Sequence, residues 1–151
     1  ILAVDLEPSR LDVACKLGAD EGLDSGEIDV PSTVEQQTEG RGADLVFEAV
    51  GLSPTLNLAI RSARKGGRIG LIGNLASQSD FPLQSVVTRE LSLHGSCSSR
   101  GEYAAGLDMI ARGSIDVSAL ISETAPLADG ALWFDRLYRG EAGLLKVILK
   151  P

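Results

Sequence analysis

Ala43-Asp44-Leu45-Val46-Phe47-Glu48-Ala49-Val50-Gly51 is an apolar run of β-formers closed by glycine, and it predicts a buried strand. Ser53-Pro54 follows at once and predicts a helix start. Serine serves as N-cap, proline takes the first helical position, and Leu56, Ala59, Ile60 and Ala63 are spaced to bury one face. Gly66-Gly67 predicts the end of that helix, and Arg68-Ile69-Gly70-Leu71-Ile72-Gly73 a second apolar strand. Strand, helix and strand in that order make a crossover unit whose strands lie parallel. Ligands in an open parallel sheet sit at the carboxyl ends of the strands, here Ala49-Val50-Gly51 and Ile72-Gly73-Asn74.

Working upstream, Gly40-Arg41-Gly42 is a turn feeding the first of these strands, and Val30-Pro31-Ser32 opens a polar helix to about residue 39. The acidic segment from Asp20 to Asp29 has room for a short strand around Gly22-Leu23. Before it, Pro8 sets a helix start, with Leu11, Val13, Ala14 and Leu17 at helical spacing and Gly18 as its stop. Ile1-Leu2-Ala3-Val4-Asp5 is apolar from its first residue and ends on a carboxylate, like a strand already under way. Downstream, the segment from Phe81 to Thr88 holds a short helix, and Glu90 to Gly95 a strand that ends in Ser96-Cys97-Ser98-Ser99. Gly101 to Ala111 reads as a helix with Tyr103, Leu107 and Ile110 inward, and Val117 to Ser122 as turn-like. Ala125-Pro126 opens a helix carrying Leu127 to Tyr138, and Leu144 to Leu149 is a terminal strand.

The alternation of strands and helices calls for an α/β fold with a parallel sheet. The dinucleotide fingerprint, Gly-x-Gly-x-x-Gly opening a helix after a strand, is absent, because Gly70-x-x-Gly73 sits inside a strand. The acidic residue that follows such a fingerprint by about twenty positions to bind the adenosine ribose would be Asp5, which puts the fingerprint just upstream of Ile1.

Composition narrows the function. A chain of 151 residues with 44% hydrophobic content supports one domain with a sizeable core. A net charge of −7 with no Lys/Arg cluster argues against a nucleic-acid partner. Cys15 and Cys97 are far apart and His94 is the sole histidine, so the usual self-contained zinc sites are excluded. No apolar run approaches the roughly 20 residues that cross a bilayer, and no signal-peptide pattern opens the chain. The expectation is therefore no membrane partner and a cytoplasmic location.

Val4-Asp5-Leu6-x-x-Ser9-Arg10-Leu11, Leu17-Gly18-Ala19-Asp20, Gly42 to Gly51, Gly66-Gly67-Arg68-Ile69 and Lys146-Val147-Ile148-Leu149 together resemble the second half of a medium-chain dehydrogenase/reductase. Within that family the pattern is most similar to the zinc-type alcohol, polyol and threonine dehydrogenases. The resemblance implies a Rossmann-type doubly wound parallel sheet lacking its first strand, plus a carboxyl-terminal segment that returns to the catalytic domain. Residues 1–97 would form the partial NAD-binding domain and residues 98–151 the returning segment. A parent of roughly twice this length is implied, whose absent amino-terminal half would bind the zinc, so no catalytic or metal residue is expected in this segment. The implied substrate is a small-molecule alcohol or polyol, and the implied assembly a homodimer or homotetramer with the region from Leu91 to Val117 as a candidate interface.

The same resemblance assigns cofactor roles. Asp5 would accept both ribose hydroxyls and repel a 2′-phosphate, favouring NAD over NADP; its bland alternative is a solvated strand-end carboxylate. Arg10 would lie near that ribose, where a cation could also accept a 2′-phosphate, or be an ordinary exposed helix arginine. Val50 and Gly51 would border the adenine and ribose side of the cleft, glycine allowing close backbone approach, or simply end a strand. Ile72, Gly73 and Asn74 would pass the nicotinamide ribose, and Ser96, Cys97 and Ser98 would hold the carboxamide through backbone groups. Lys146 would reach the diphosphate, or be a solvated strand-edge lysine.

Glu48, charged within an apolar strand, is expected to be hydrogen-bonded and structural, since an unpaired charge there is costly. Ser98-Ser99 stand where sorbitol-type relatives carry an Arg-Tyr pair, a departure that argues against sorbitol. Two rival readings remain open: a zinc-independent quinone or enoyl reductase of the same superfamily, and a cofactor-free structural or regulatory fragment. The missing first strand is central in a doubly wound sheet, so residues 1–151 alone are expected to fold poorly.

Overall fold

The computed structural model describes residues 1–151. In chain order the elements are β1 (Leu2–Asp5), α1 (Pro8–Lys16), β2 (Glu21–Asp24), α2 (Val30–Gln37), β3 (Ala43–Glu48), α3 (Ser53–Ser62), β4 (Ala63–Leu71), α4 (Leu83–Thr88), β5 (Ser92–Gly95), α5 (Tyr103–Ala111), β6 (Ile121–Pro126), α6 (Gly130–Tyr138) and β7 (Lys146–Lys150). Single 3-10 turns at Ser118–Leu120 and Leu127–Asp129 flank β6. Every strand pairing is parallel, as the crossover reading requires. The strands form three separate sheets, β1-β2, β3-β4-β5 and β6-β7. β1 thus has β2 as its one partner, and β3 has β4, which is the pairing expected of a doubly wound sheet without its first strand.

Two compact units result. One comprises Glu27–Arg100, and the other Ile1–Gly26 together with Gly101–Pro151. In the first, α3 lays Leu56, Ala59 and Ile60 onto the β3-β4-β5 sheet, where they meet Ala63 and Ile69, with Val46, Leu71, Val86, Leu91 and Leu93 packed around them. Arg89 closes this core from below. Its guanidinium donates to the carbonyls of Ile60, at 2.9 Å, and Ala63, satisfying orphan acceptors at the end of α3. Replacing Arg89 with alanine removes two charge-assisted bonds, and we expect a loss of about 2 kcal/mol in the unfolding free energy of the intact protein, read by denaturant titration. In the second unit, α1 covers β1-β2, with Leu11 lying over Gly22 and both Leu11 and Leu23 buried.

Several expectations are corrected. The helix after Ser53-Pro54 ends at Ser62, not at Gly66-Gly67, because β4 already begins at Ala63, paired with Ala43, and takes an irregular step before Arg68 joins Leu45. Ser53 is not the cap. Leu52 holds that position, with Thr55 Oγ1 accepting from its N–H at 3.3 Å and donating to its carbonyl at 3.0 Å. The Ser53 hydroxyl instead accepts from Asp80 N–H at 2.9 Å, and Asn57 donates to the Asp80 carbonyl at 2.8 Å, which ties the loop after Asn74 onto the first turn of α3.

β3 is buried on one face only: Leu45 and Phe47 point outward, Phe47 with 64% of its surface exposed. Tyr103, Leu107 and Ile110 are exposed on α5 rather than inward. Ile121–Pro126 is a strand, so Val117 to Ser122 is more than a turn, and the helix expected from Ala125-Pro126 starts at Gly130. That strand exists through its distant partner β7, with Ala125 opposite Leu149, a pairing that no local periodicity announces.

Candidate functional site

In the register of the central sheet, Glu48 lies beside Leu71 and Leu71 beside Gly95, so β3, β4 and β5 all finish on one row at their carboxyl ends. Three segments leave from that row: Ala49-Val50-Gly51, Ile72-Gly73-Asn74 and Ser96-Cys97-Ser98. The first two are knitted together. Glu48, 5% exposed, accepts from Val50 N–H at 2.9 Å and Gly51 N–H at 2.8 Å on Oε1, with Gly51 also 3.0 Å from Oε2. The carbonyl of the same residue accepts from Ile72 N–H at 2.8 Å and Gly73 N–H at 3.0 Å. In return the carbonyls of Val50 and Gly51 accept from Leu75 at 3.3 Å and Ala76 at 3.0 Å.

Backbone passes so close to backbone here that only glycine fits. Gly51 has φ +83°, and a Cβ on it would stand 2.4 Å from Asn74 N, while one on Gly73 would stand 2.1 Å from Gly51 N. The third segment is tied in by Ser96 N–H donating to the Leu71 carbonyl at 2.9 Å. Beyond it Cys97 Sγ and Ser98 Oγ lie 3.9 Å apart, both exposed, and Ser98 takes φ +49°. The space beside Gly95 is open, with nothing within 4 Å of where a Cβ would be. Val50, Gly51, Ile72, Gly73, Asn74, Ser96, Cys97 and Ser98 are therefore brought to one edge of one sheet.

Asp5, Arg10 and Lys146 belong to the other compact unit. Asp5 ends β1, and its Oδ1 accepts from Leu6 N–H at 2.8 Å and Glu7 N–H at 3.0 Å, an arrangement that locks the carboxylate at the strand tip. Its Oδ2 has a looser neighbour, Arg10 Nη1 at 3.8 Å. Lys146 opens β7 opposite Ile121 and is exposed.

The donor set within each unit suits part of a dinucleotide: an anchored carboxylate and a solvent-facing lysine in one, and side-chain-free backbone at the strand tips in the other. Neither set suits a metal, since no group of three or more His, Cys, Asp or Glu side chains is close enough to hold one. The tether from Ser53 and Asn57 to Asp80 holds the loop after Asn74 against α3, and the sequence conceals it because Ser-Pro reads first as a helix cap.

Residues 1–112 match the family described as zinc-binding dehydrogenase. The chain belongs to that family. Its extent corresponds to the carboxyl-terminal part of a zinc-type medium-chain dehydrogenase/reductase, in agreement with the resemblance in the motifs. Among curated relatives, a sorbitol dehydrogenase of Bacillus subtilis is 29% identical over 153 residues, covering 100% of this chain and 43% of that protein. An alcohol dehydrogenase of Cupriavidus necator is 31% identical over 156 residues, covering 100% of this chain and 42% of its own length. Among solved structures, the alcohol dehydrogenase TADH from Thermus sp. ATN1 superimposes with a TM-score of 0.90 at 33% identity, covering 100% of this chain and 44% of that one. The 2R,3R-butanediol dehydrogenase of Bacillus subtilis gives a TM-score of 0.89 at 26% identity, again covering 100% of this chain and 43% of its own. This zinc-binding dehydrogenase chain thus spans less than half the length of the relatives it matches.

Proposed function

We propose that these residues are the NAD-holding part of a zinc-type dehydrogenase that oxidises a secondary alcohol or polyol. Residues 1–97 belong to the dinucleotide-binding domain and residues 98–151 complete the catalytic one. The observation that carries the cofactor reading is the Asp5 carboxylate, fixed through Oδ1 by two main-chain N–H groups at the end of a parallel strand, with Oδ2 meeting only the Arg10 guanidinium at 3.8 Å.

Asp5 accepts hydrogen bonds from the adenosine ribose hydroxyls and repels a 2′-phosphate. Arg10, 3.8 Å from it, reinforces the ribose contact. Lys146 donates to the diphosphate, and the backbone of residues 50–51, 72–74 and 96–98 lines the remainder of the cofactor. A bound nicotinamide would supply the hydride acceptor, with the backbone of residues 72–74 and 96–98 holding it. In this reading the zinc of the family is held by protein outside residues 1–151. The protein is proposed to be a cytoplasmic homodimer or homotetramer. Relatives named for sorbitol and butanediol support the reaction class rather than a particular substrate, and Ser98-Ser99 argue against sorbitol.

Asp5→Asn tests the reading cleanly. The amide keeps Oδ1, and with it the contacts to Leu6 and Glu7, while losing the charge. In the full-length protein we expect the preference for NADH over NADPH to fall by about 10- to 100-fold, the worth of a hydrogen bond to a charged group. An unchanged ratio rejects the role of Asp5.

A further inference from the structure

We propose that Glu48 is a positioning residue: one buried side chain and its own carbonyl together set the two strand tips against which the dinucleotide lies. The inference rests on the cofactor reading above and deepens it.

Burial of a carboxylate is costly unless its oxygens are filled, and at 5% exposure Glu48 fills them with main-chain donors, Val50 and Gly51 N–H. Those bonds fix which way two peptide planes face. With both N–H groups turned inward to Glu48, the Val50 carbonyl, which shares its peptide plane with Gly51 N–H, faces the following segment and accepts from Leu75, and the next carbonyl, that of Gly51, accepts from Ala76. From its other end, the Glu48 carbonyl draws Ile72 and Gly73 N–H onto β3. The contact between Gly51 and Gly73 leaves neither tip room to move separately, since a single added carbon on either would overlap the other's backbone. Glu48 itself needs no contact with the cofactor. Its action is on the rim, and the rim is made of peptide groups whose orientation decides which of them a ligand meets.

Conservative changes separate this from a plain stability role. Glu48→Gln keeps Oε1 but replaces Oε2 with an amide donor facing Gly51 N–H, a site now 3.0 Å apart. Glu48→Asp draws the carboxylate back by one methylene, out of reach of both donors. Arg89→Ala is the control: it loosens the same sheet through Ile60 and Ala63 and touches neither tip.

The experiment uses the full-length protein, with NADH affinity and the emission shift of bound NADH read by fluorescence, thermal midpoints read in parallel, and amide exchange followed at residues 49–52 without cofactor. We expect Glu48→Gln to weaken NADH about tenfold and Glu48→Asp at least as much, a loss of one good hydrogen bond's worth. Exchange at Val50 and Gly51 accelerates in both. Arg89→Ala lowers the thermal midpoint while leaving NADH affinity within about twofold. If Glu48→Gln and Arg89→Ala weaken NADH in proportion to their lost stability, Glu48 is merely structural and the proposal fails while the cofactor reading stands. If the wild-type protein binds no NADH, the reading and the proposal fall together. Should one Glu48 variant not fold, the other variant and the exchange rates decide.

Discussion

Gly73→Ala will abolish NADH binding and cost more than about 3 kcal/mol of stability, or prevent soluble expression of the full-length protein altogether. The added methyl carbon would stand 2.1 Å from Gly51 N, 2.2 Å from Val50 C and 2.3 Å from Val50 N, all backbone atoms with no rotamer to yield. Relief requires parting β3 and β4 at their tips. That movement breaks the bonds of Ile72 and Gly73 to the Glu48 carbonyl, and then those of Leu75 and Ala76 to Val50 and Gly51. Gly95→Ala, one strand over, is the contrast: its methyl meets nothing within 4 Å, so stability should hold within about 1 kcal/mol. Denaturant midpoints of the two variants check the pair. A Gly73→Ala protein as stable as the wild type means that the two tips are not packed as described.

Residues 1–151 produced alone will bind a hydrophobic dye such as ANS strongly and melt over a broad range without a cooperative transition. Parallel strands are normally covered on both faces. Here Val4 on β1 and Leu45 and Phe47 on β3 are exposed, and each strand pairs along a single edge. The unpaired edges leave main-chain N–H and C=O groups to find other partners, which is a route to aggregation. On α5 and α6, Tyr103, Leu107, Phe134 and Tyr138 add further exposed apolar surface, Tyr138 at 93%. A single sharp melt without dye binding would contradict this.

The central unit was legible in the sequence because its cues are local. Apolar runs closed by glycine mark β3 and β4, Pro54 marks the start of α3, and helical spacing picks out Leu56, Ala59 and Ile60, all of them buried. The strand tips were legible for the same reason, and Glu48 betrayed its hydrogen-bonded role by being a charge in an apolar strand.

What escaped depends on distant partners. β6 is a strand because β7 lies beside it, and Ile121-Ser122-Glu123-Thr124-Ala125-Pro126 carries no alternation to say so. Ser53 looks like a cap yet serves Asp80, twenty-seven positions on. The inward assignments of Tyr103, Leu107 and Ile110 failed differently. Helical spacing identifies an apolar face correctly but does not identify what covers it.

Asp5, held at the end of β1 by Leu6 and Glu7 N–H, is the proposed acceptor for an unphosphorylated ribose. Parallel titrations of the full-length wild-type protein with NADH and NADPH test it most directly. We predict saturable NADH binding at least about tenfold tighter than NADPH, the least that repulsion between a carboxylate and a 2′-phosphate at contact should produce. NADPH binding as tight as NADH, or no saturable binding of either, would contradict it.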